Sequence, residues 1–208
     1  VKVVAVLIDS PPYALISKPE LKSIKTLAGR TLGIGVFGST NDVVARMMLE
    51  HSGINPDKDV KIVAFGFDSA RLAALQEGLV DAALIAPPAD AQARRAGFNV
   101  LARANDFLKF PHIGLGTSNR VIKDKPQELK KVIKAMVRAN RFIRENRDES
   151  IKVLMEWGRT ERENAADAYD STWQVFSADG NLAEEGMRLV IEDAKKALKV
   201  TRPVQLSE

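Results

Sequence analysis

Over its first hundred residues the chain alternates between short apolar runs and stretches whose apolar residues recur every three or four positions. The runs VKVVAVLI, TLGIGV, VKIVAF, DAALIA and FNVLARA are strand-length, and the first is apolar and β-branched on both faces, the pattern of a covered strand. Between the second and third, Val43, Val44, Met47, Met48 and His51 fall on one helical face, with Gly53 as its stop. DSARLAALQEG predicts a helix with Asp68 as N-cap and Gly78 just past its end. PPADAQARRAG predicts another, opening on prolines suited to a first turn and ending at Gly97. SPPY breaks the first strand, YALISK resumes extended, and LKSIKTLAG reads as a short helical turn closed by Gly29. Strands separated by single short helices imply βαβ units, so a mainly parallel sheet is expected over residues 31–104.

DFLKFPHIGLGTSNRVI is expected to be extended, and from Lys125 the chain changes character. KPQELKKVIKAMVRANRFIREN sets Leu129, Ile133, Met136, Asn140 and Ile143 on one helical face. DESIKVLMEW, TERENAADAYDSTWQVF and NLAEEGMRLVIEDAKKAL predict three more helices, with Thr160 and Glu163 spaced as a capping box. Trp157, Tyr169 and Trp173 fall on apolar faces and are expected in the core. Only VKVVAVLI and HIGLGT are available as strands for these helices to cover, and a lone strand pair is a marginal platform.

Composition narrows the chemistry. At 208 residues the chain suits one large domain or two small lobes, and no apolar run approaches the ~20 residues of a membrane span. The absence of cysteine removes disulfides, thiolate metal sites and a cysteine nucleophile. His51 and His112 lack metal-type spacing, and His112, after Phe110 and Pro111, reads as structural. The net charge of +4 suits an anionic partner, but with aromatics at 6% and bases interspersed with acids, no nucleic-acid partner is expected. Nothing converges on catalysis, no metal or cofactor is expected, and caps or loop ends account for Asp68, Asp81 and Asp90.

Three stretches could hold a ligand. Gly38, Ser39, Thr40 and Asn41 lie between an apolar strand and a helix. A glycine there lets the backbone turn sharply, and the helix start offers unpaired N–H groups and positive dipole character to an anion. On residue types alone, a plain helix cap is the simpler account. GIGVFG has dinucleotide spacing but lies partly inside the strand, so it is discounted. Pro87 and Pro88 form a stiff loop after another strand, fit for a ligand or merely for a first helical turn. Pro12 and Tyr13 stand at a strand junction, where Tyr13 serves either as a core residue or as a ring and hydroxyl for a ligand.

The order of segments resembles the nitrate/sulfonate/taurine-type periplasmic substrate-binding proteins of ABC transporters. YALISKPELKSIKTLAGRTLGIGVFGSTND is similar to that family's run through a strand into a Gly-Ser-anchored helix. ALQEGLVDAALIAPPADAQARRAGF resembles its Val-Asp-Ala strand and proline-containing loop, and KPQELKKVIKAMVRANRFIREN its Pro-x-x-Leu helix. The resemblance implies an α/β fold of the type II periplasmic-binding class. Residues 1–23 would be a partial first-lobe strand and hinge, 24–111 a complete second lobe, and 112–208 the return crossing with the first lobe's C-terminal helices. It places Gly38, Ser39, Thr40 and Asn41 at an anion-anchoring turn, Pro87 and Pro88 in the second lobe's cleft loop, and Pro12 and Tyr13 near the first hinge strand. The implied function is capture of a small sulfonate, taurine, nitrate or similar anion by cleft closure, without catalysis, for delivery to a membrane permease from the periplasm. The family's early first-lobe units, and a signal peptide before them, are expected to precede this chain, and an incomplete first lobe would leave an edge open to pairing with another chain. The alternative is an effector-binding domain of a transcription regulator with the same fold. A pyrimidine-precursor enzyme of the same superfamily is a third reading, but the cysteine-rich motif of those enzymes is absent.

Overall fold

In the computed structural model, which describes residues 1–206, the strands sort into two sheets that belong to two compact units. One unit is Pro12–Phe107; the other joins Val1–Pro11 to the chain from Leu108 onward. The boundaries therefore fall at 11/12 and 107/108, where 23/24 and 111/112 were expected. The reason is the strand over YALISK, which hydrogen-bonds inside the first of these units.

That unit has strands β2 (Ala14–Ser17), β3 (Thr31–Ile34), β4 (Lys61–Ala64), β5 (Ala82–Ile85) and β6 (Asn99–Arg103) in the order β4-β3-β5-β2-β6. β3 pairs parallel with β4 and β5, whereas β2 pairs antiparallel with β5 and β6. The sheet is thus mixed: four strands share one direction and β2 is threaded among them in the other. Helices α1 (Thr40–His51), α2 (Asp68–Gln76) and α3 (Ala89–Arg95) connect the strands. The runs AALI and ALIS are buried at every position, as strands covered on both faces require. Ala14, Ile16, Ala83 and Ile85 meet Leu72, Leu75 and Ala93 in one cluster. Burying each of the larger side chains contributes roughly 1.5–3 kcal/mol.

Two local expectations shift. α1 buries Asn41, Val44, Ala45, Met48 and Leu49, so its inner face is rotated from the predicted one, and His51 is exposed, stacked on Phe107 at 4.6 Å. The N-cap of α2 is Phe67 rather than Asp68, whose carboxylate is used elsewhere.

The second unit holds a two-stranded antiparallel sheet, β1 (Lys2–Ile8) with β7 (Ile113–Thr117). Close approach explains the glycines of IGLGT: a Cβ on Gly114 would stand 2.9 Å from the Ala5 carbonyl oxygen. β1 is less covered than its composition predicts, with Ala5 and Val6 buried but Val3 48% exposed. Helices α4 (Asn119–Asp124), α5 (Pro126–Glu145), α6 (Arg147–Gly158), α7 (Arg162–Thr172) and α8 (Glu184–Leu198) complete it. α4 replaces part of a segment expected to be extended; the Ser118 hydroxyl caps it, accepting from the Val121 N–H at 3.3 Å. Asn140 of α5 is buried and donates to the Leu7 and Ser177 carbonyls at 2.8 and 2.9 Å, tying the helix to β1. Tyr169 is in the core with Ile151 and Ala165, and Trp173 packs against them. Trp157, also expected there, is 85% exposed. The predicted Thr160 and Glu163 box does not form: α7 starts at Arg162 with Glu161 as N-cap and no side-chain cap bond. Among the described residues no helix is long and apolar enough to cross a membrane.

Candidate functional site

The direction of the strands brings the three candidate stretches together. β3 and β5 run parallel and adjacent, so their carboxyl ends open into neighbouring loops, 38–41 after β3 and Pro87-Pro88 after β5. β2 runs the opposite way with Ala14 paired to Ile85, which sets Pro12 and Tyr13 at that same edge. The Tyr13 carbonyl accepts from the Ala104 N–H at 2.9 Å, adding the end of β6. All eight candidates thus lie along one edge of the five-stranded sheet, where ligands of open α/β sheets bind.

At the start of α1, Gly38 adopts φ 74°, the left-handed conformation glycine tolerates, and turns the chain into the helix. Ser39 is the N-cap, its hydroxyl accepting from the Asp42 N–H at a long 3.5 Å. The Gly38 N–H is already taken by the Asp42 carboxylate at 2.8 Å, and Asp42 is in turn paired with Arg46 at 2.8 Å. The helix thus supplies part of the negative charge its own N-terminus favours. Among the described residues the backbone N–H groups of Thr40 and Asn41 have no protein acceptor, and Thr40 is exposed. These two donors, with the Ser39 and Thr40 hydroxyls, are what the turn offers to an anion. The Asn41 side chain is buried; it accepts from the Gly35 N–H at 2.8 Å and donates to the Leu84 carbonyl at 3.4 Å. It braces the loop, and only its backbone N–H is left without a protein acceptor among the described residues.

A buried cation braces the same edge. Arg71 is 3% exposed, and its Nε donates to the Leu84 carbonyl at 2.7 Å. Its other nitrogens donate to the Gly66 carbonyl and to the Asp68 carboxylate. Asp68 also accepts from the Ala86 N–H at 2.7 Å, immediately before Pro87. The ends of β3, β4 and β5 are therefore joined through Asn41, Arg71 and Asp68. Space at this hub is tight, since a Cβ on Gly35 would lie 3.2 Å from Arg71. Burial raises the Tyr13 pKa, the charge of Asp68 raises it further and Arg71 opposes them, so the phenol stays neutral at physiological pH. Pro87 is half-buried and Pro88 exposed, joined by a cis peptide bond. Val36, Phe37 and Phe67, all in loops at this edge, are 61%, 56% and 85% exposed.

Arg71, Asp68 and Asp42 were not singled out from the sequence as site residues. One sign was available: Arg71 shares the helical face of Ala74 and Leu75 in DSARLAAL, where a charged side chain must find partners. Among the described residues no group of three or more His, Cys, Asp or Glu is placed to hold a metal ion.

A mixed α/β sheet whose loops converge at one strand edge and a second unit of helices on a strand pair fit the fold of the type II periplasmic-binding class. A family model described as "NMT1/THI5 like" matches residues 1–150, and the chain belongs to that family. No curated protein matches it in sequence. Solved structures share its fold at low identity. The periplasmic aliphatic sulphonate binding protein SsuA from Escherichia coli is 18% identical with a TM-score of 0.78, over 95% of this chain and 65% of its own. The alkanesulfonate-binding protein SsuA from Xanthomonas axonopodis pv. citri, bound to MOPS, is 17% identical with a TM-score of 0.70, over 96% and 70%. The zinc-bound ligand-binding component of an ABC-type import system from Staphylococcus aureus is 13% identical with a TM-score of 0.71, over 98% and 70%. The chain thus spans 65% to 70% of the length of these structures.

Proposed function

We propose that this chain belongs to the substrate-binding component of an ABC importer, that it binds a small organic or inorganic anion without chemically altering it, and that it works in the periplasm with a membrane permease. What carries the reading is the turn at the start of α1. Two adjacent backbone N–H groups, of Thr40 and Asn41, are open there beside the Ser39 and Thr40 hydroxyls, at an edge shared with Tyr13 and Pro87. Such a turn suits a sulfonate, whose oxygens accept several hydrogen bonds at once. The sulfonate-binding names of two structural relatives favour that class over nitrate. Asp42 restrains the site's preference for charge, and Arg46, which pairs with both Asp42 and Asp57, offsets only part of its field. Gly38, Ser39, Thr40, Asn41, Pro87, Pro88, Pro12 and Tyr13 are the proposed ligand-binding residues, with Arg71 and Asp68 holding their loops.

The test is a thermal-shift screen of the full-length protein against alkanesulfonates, taurine, nitrate and aromatic carboxylates, followed by calorimetry. A saturable rise in Tm with an alkanesulfonate is expected, and ligand at 100 times its Kd would stabilise by about 2.7 kcal/mol. No shift with any of these anions would overturn the reading.

A further inference from the structure

Charge is distributed unevenly along this chain. Residues 119–144 contain nine Lys or Arg against Asp124 and Glu128, a net of +7, while the whole chain carries +4. The remainder is therefore net acidic, and the basic character is gathered on α4 and α5. Within α5, residues 129–144 include no acidic side chain. Lys130, Lys134, Arg138 and Arg141 recur at spacings that place them on one face. Among the described residues Lys130, Lys131, Lys134 and Arg138 have no ion-pair partner, and Glu128 is engaged by Lys125 at 3.1 Å. Like charges four residues apart destabilise an isolated helix, a cost that an anionic partner would cancel.

This face also carries a shallow depression. An open groove of about 470 Å³ is lined by Lys130, Ile133, Lys134, Val137, Arg138 and Arg141. Four of the six are cations, and Ile133 and Val137 are half-buried aliphatic residues. We propose that this groove docks an acidic polypeptide segment that presents several carboxylates and an apolar side chain. From Lys130 to Arg141 the helix rises roughly 16 Å, the length of about five extended residues. A flat bilayer would meet the rim but not enter the groove. A second copy docked symmetrically through the same face would bring its own like-charged α5. Nucleic acid would find no aromatic side chain among the lining residues on which to stack a base.

The test uses the full-length protein and a fluorescein-labelled ten-residue Glu/Leu peptide, read by anisotropy, with a Gln/Leu peptide and vesicles of phosphatidylglycerol and phosphatidylcholine as comparators. Saturable binding of the Glu/Leu peptide is expected, weakened by salt and by roughly tenfold or more in K130E/K134E/R138E. K130Q/K134Q/R138Q, which adds no charge, should weaken it less but measurably, should the reversed variant fold poorly by circular dichroism. Equal affinity for the Gln/Leu peptide, affinity unchanged in the folded variants, or vesicle binding without peptide binding would each overturn the proposal. The groove lies on α5, whereas the proposed anion turn lies on α1. The anion-induced thermal shift should therefore persist in these variants, so failure of one proposal is distinguishable from failure of the other.

Discussion

Thr40 and Arg71 do opposite kinds of work within a few residues of the same strand ends. Thr40 is exposed and its hydroxyl has no protein partner among the described residues, so Thr40→Ala should leave stability within about 0.5 kcal/mol. Its effect should appear in affinity, with alkanesulfonate binding weakened several-fold by calorimetry; unchanged affinity would return the turn to a plain cap. Ser39→Ala is a less clean probe because it removes a cap bond as well. That bond is long, 3.5 Å, so its loss should cost only the low end of the usual range, about 0.5 kcal/mol. Arg71→Met fills similar space but withdraws the donors from Leu84 and Gly66 and the cation from Asp68. Asp68 keeps the Ala86 N–H and is 40% exposed on its side chain, which softens the loss. The cost should be about 2–4 kcal/mol, read as a lower urea midpoint with an unchanged m-value. A loss under about 1 kcal/mol would show that water substitutes for the guanidinium.

At the scale of elements, α8 shows how a contact can outweigh a propensity. Alanine is favoured over glycine inside a helix by about 1 kcal/mol. Gly186 is nevertheless the buried residue of α8, and a Cβ there would stand 2.8 Å from both the Lys109 oxygen and the Phe110 Cα. Those are backbone atoms and cannot rotate away. Gly186→Ala should therefore destabilise by about 1–3 kcal/mol, with protection of α8 amides in hydrogen exchange falling first. A neutral or stabilising effect would mean the helix slides to accommodate the methyl. Nothing in AEEGMRLV announces this contact, because it depends on a segment some 75 residues earlier. The same distinction governs most of what the sequence does and does not disclose. Period and stop residues give the existence of α1, α2, α3 and α5. The strand-to-helix junctions give the place of Gly38, Ser39 and Pro87 at one sheet edge. The reversed direction of β2 is invisible, since ALIS reads the same either way and its partners are chosen in space. The unformed Thr160 and Glu163 box follows from a helix that begins one residue later than the spacing suggests. Trp157 misleads for a related reason: a helical stripe says which residues share a face, not whether anything covers it.

At the scale of the whole molecule, stability should respond to pH partly through His112, which lies just before β7 with its backbone N–H held by the Ile8 carbonyl at 2.9 Å. Burial lowers its pKa below the ordinary histidine value of 6.5, because the charged imidazolium is the form that loses hydration. In the unfolded chain the imidazole regains that ordinary value. Between the depressed folded pKa and about 6.5 the unfolded state binds more protons, so stability rises with pH across that window. The contribution is fully present above about pH 6.5 and is lost as pH falls through the folded value. Chemical unfolding at pH 8, 6.5 and 5.5 should show a decline toward acid that is shallower in His112→Asn, which has no imidazole to protonate. The paired carboxylate Asp170, held down by its bond to Arg147, adds acid sensitivity only from the ordinary carboxylate range downward, and so does not blur a comparison made at pH 5.5 and above. If the two proteins lose stability in parallel between pH 8 and 5.5, His112 is not the group through which the fold senses mild acid.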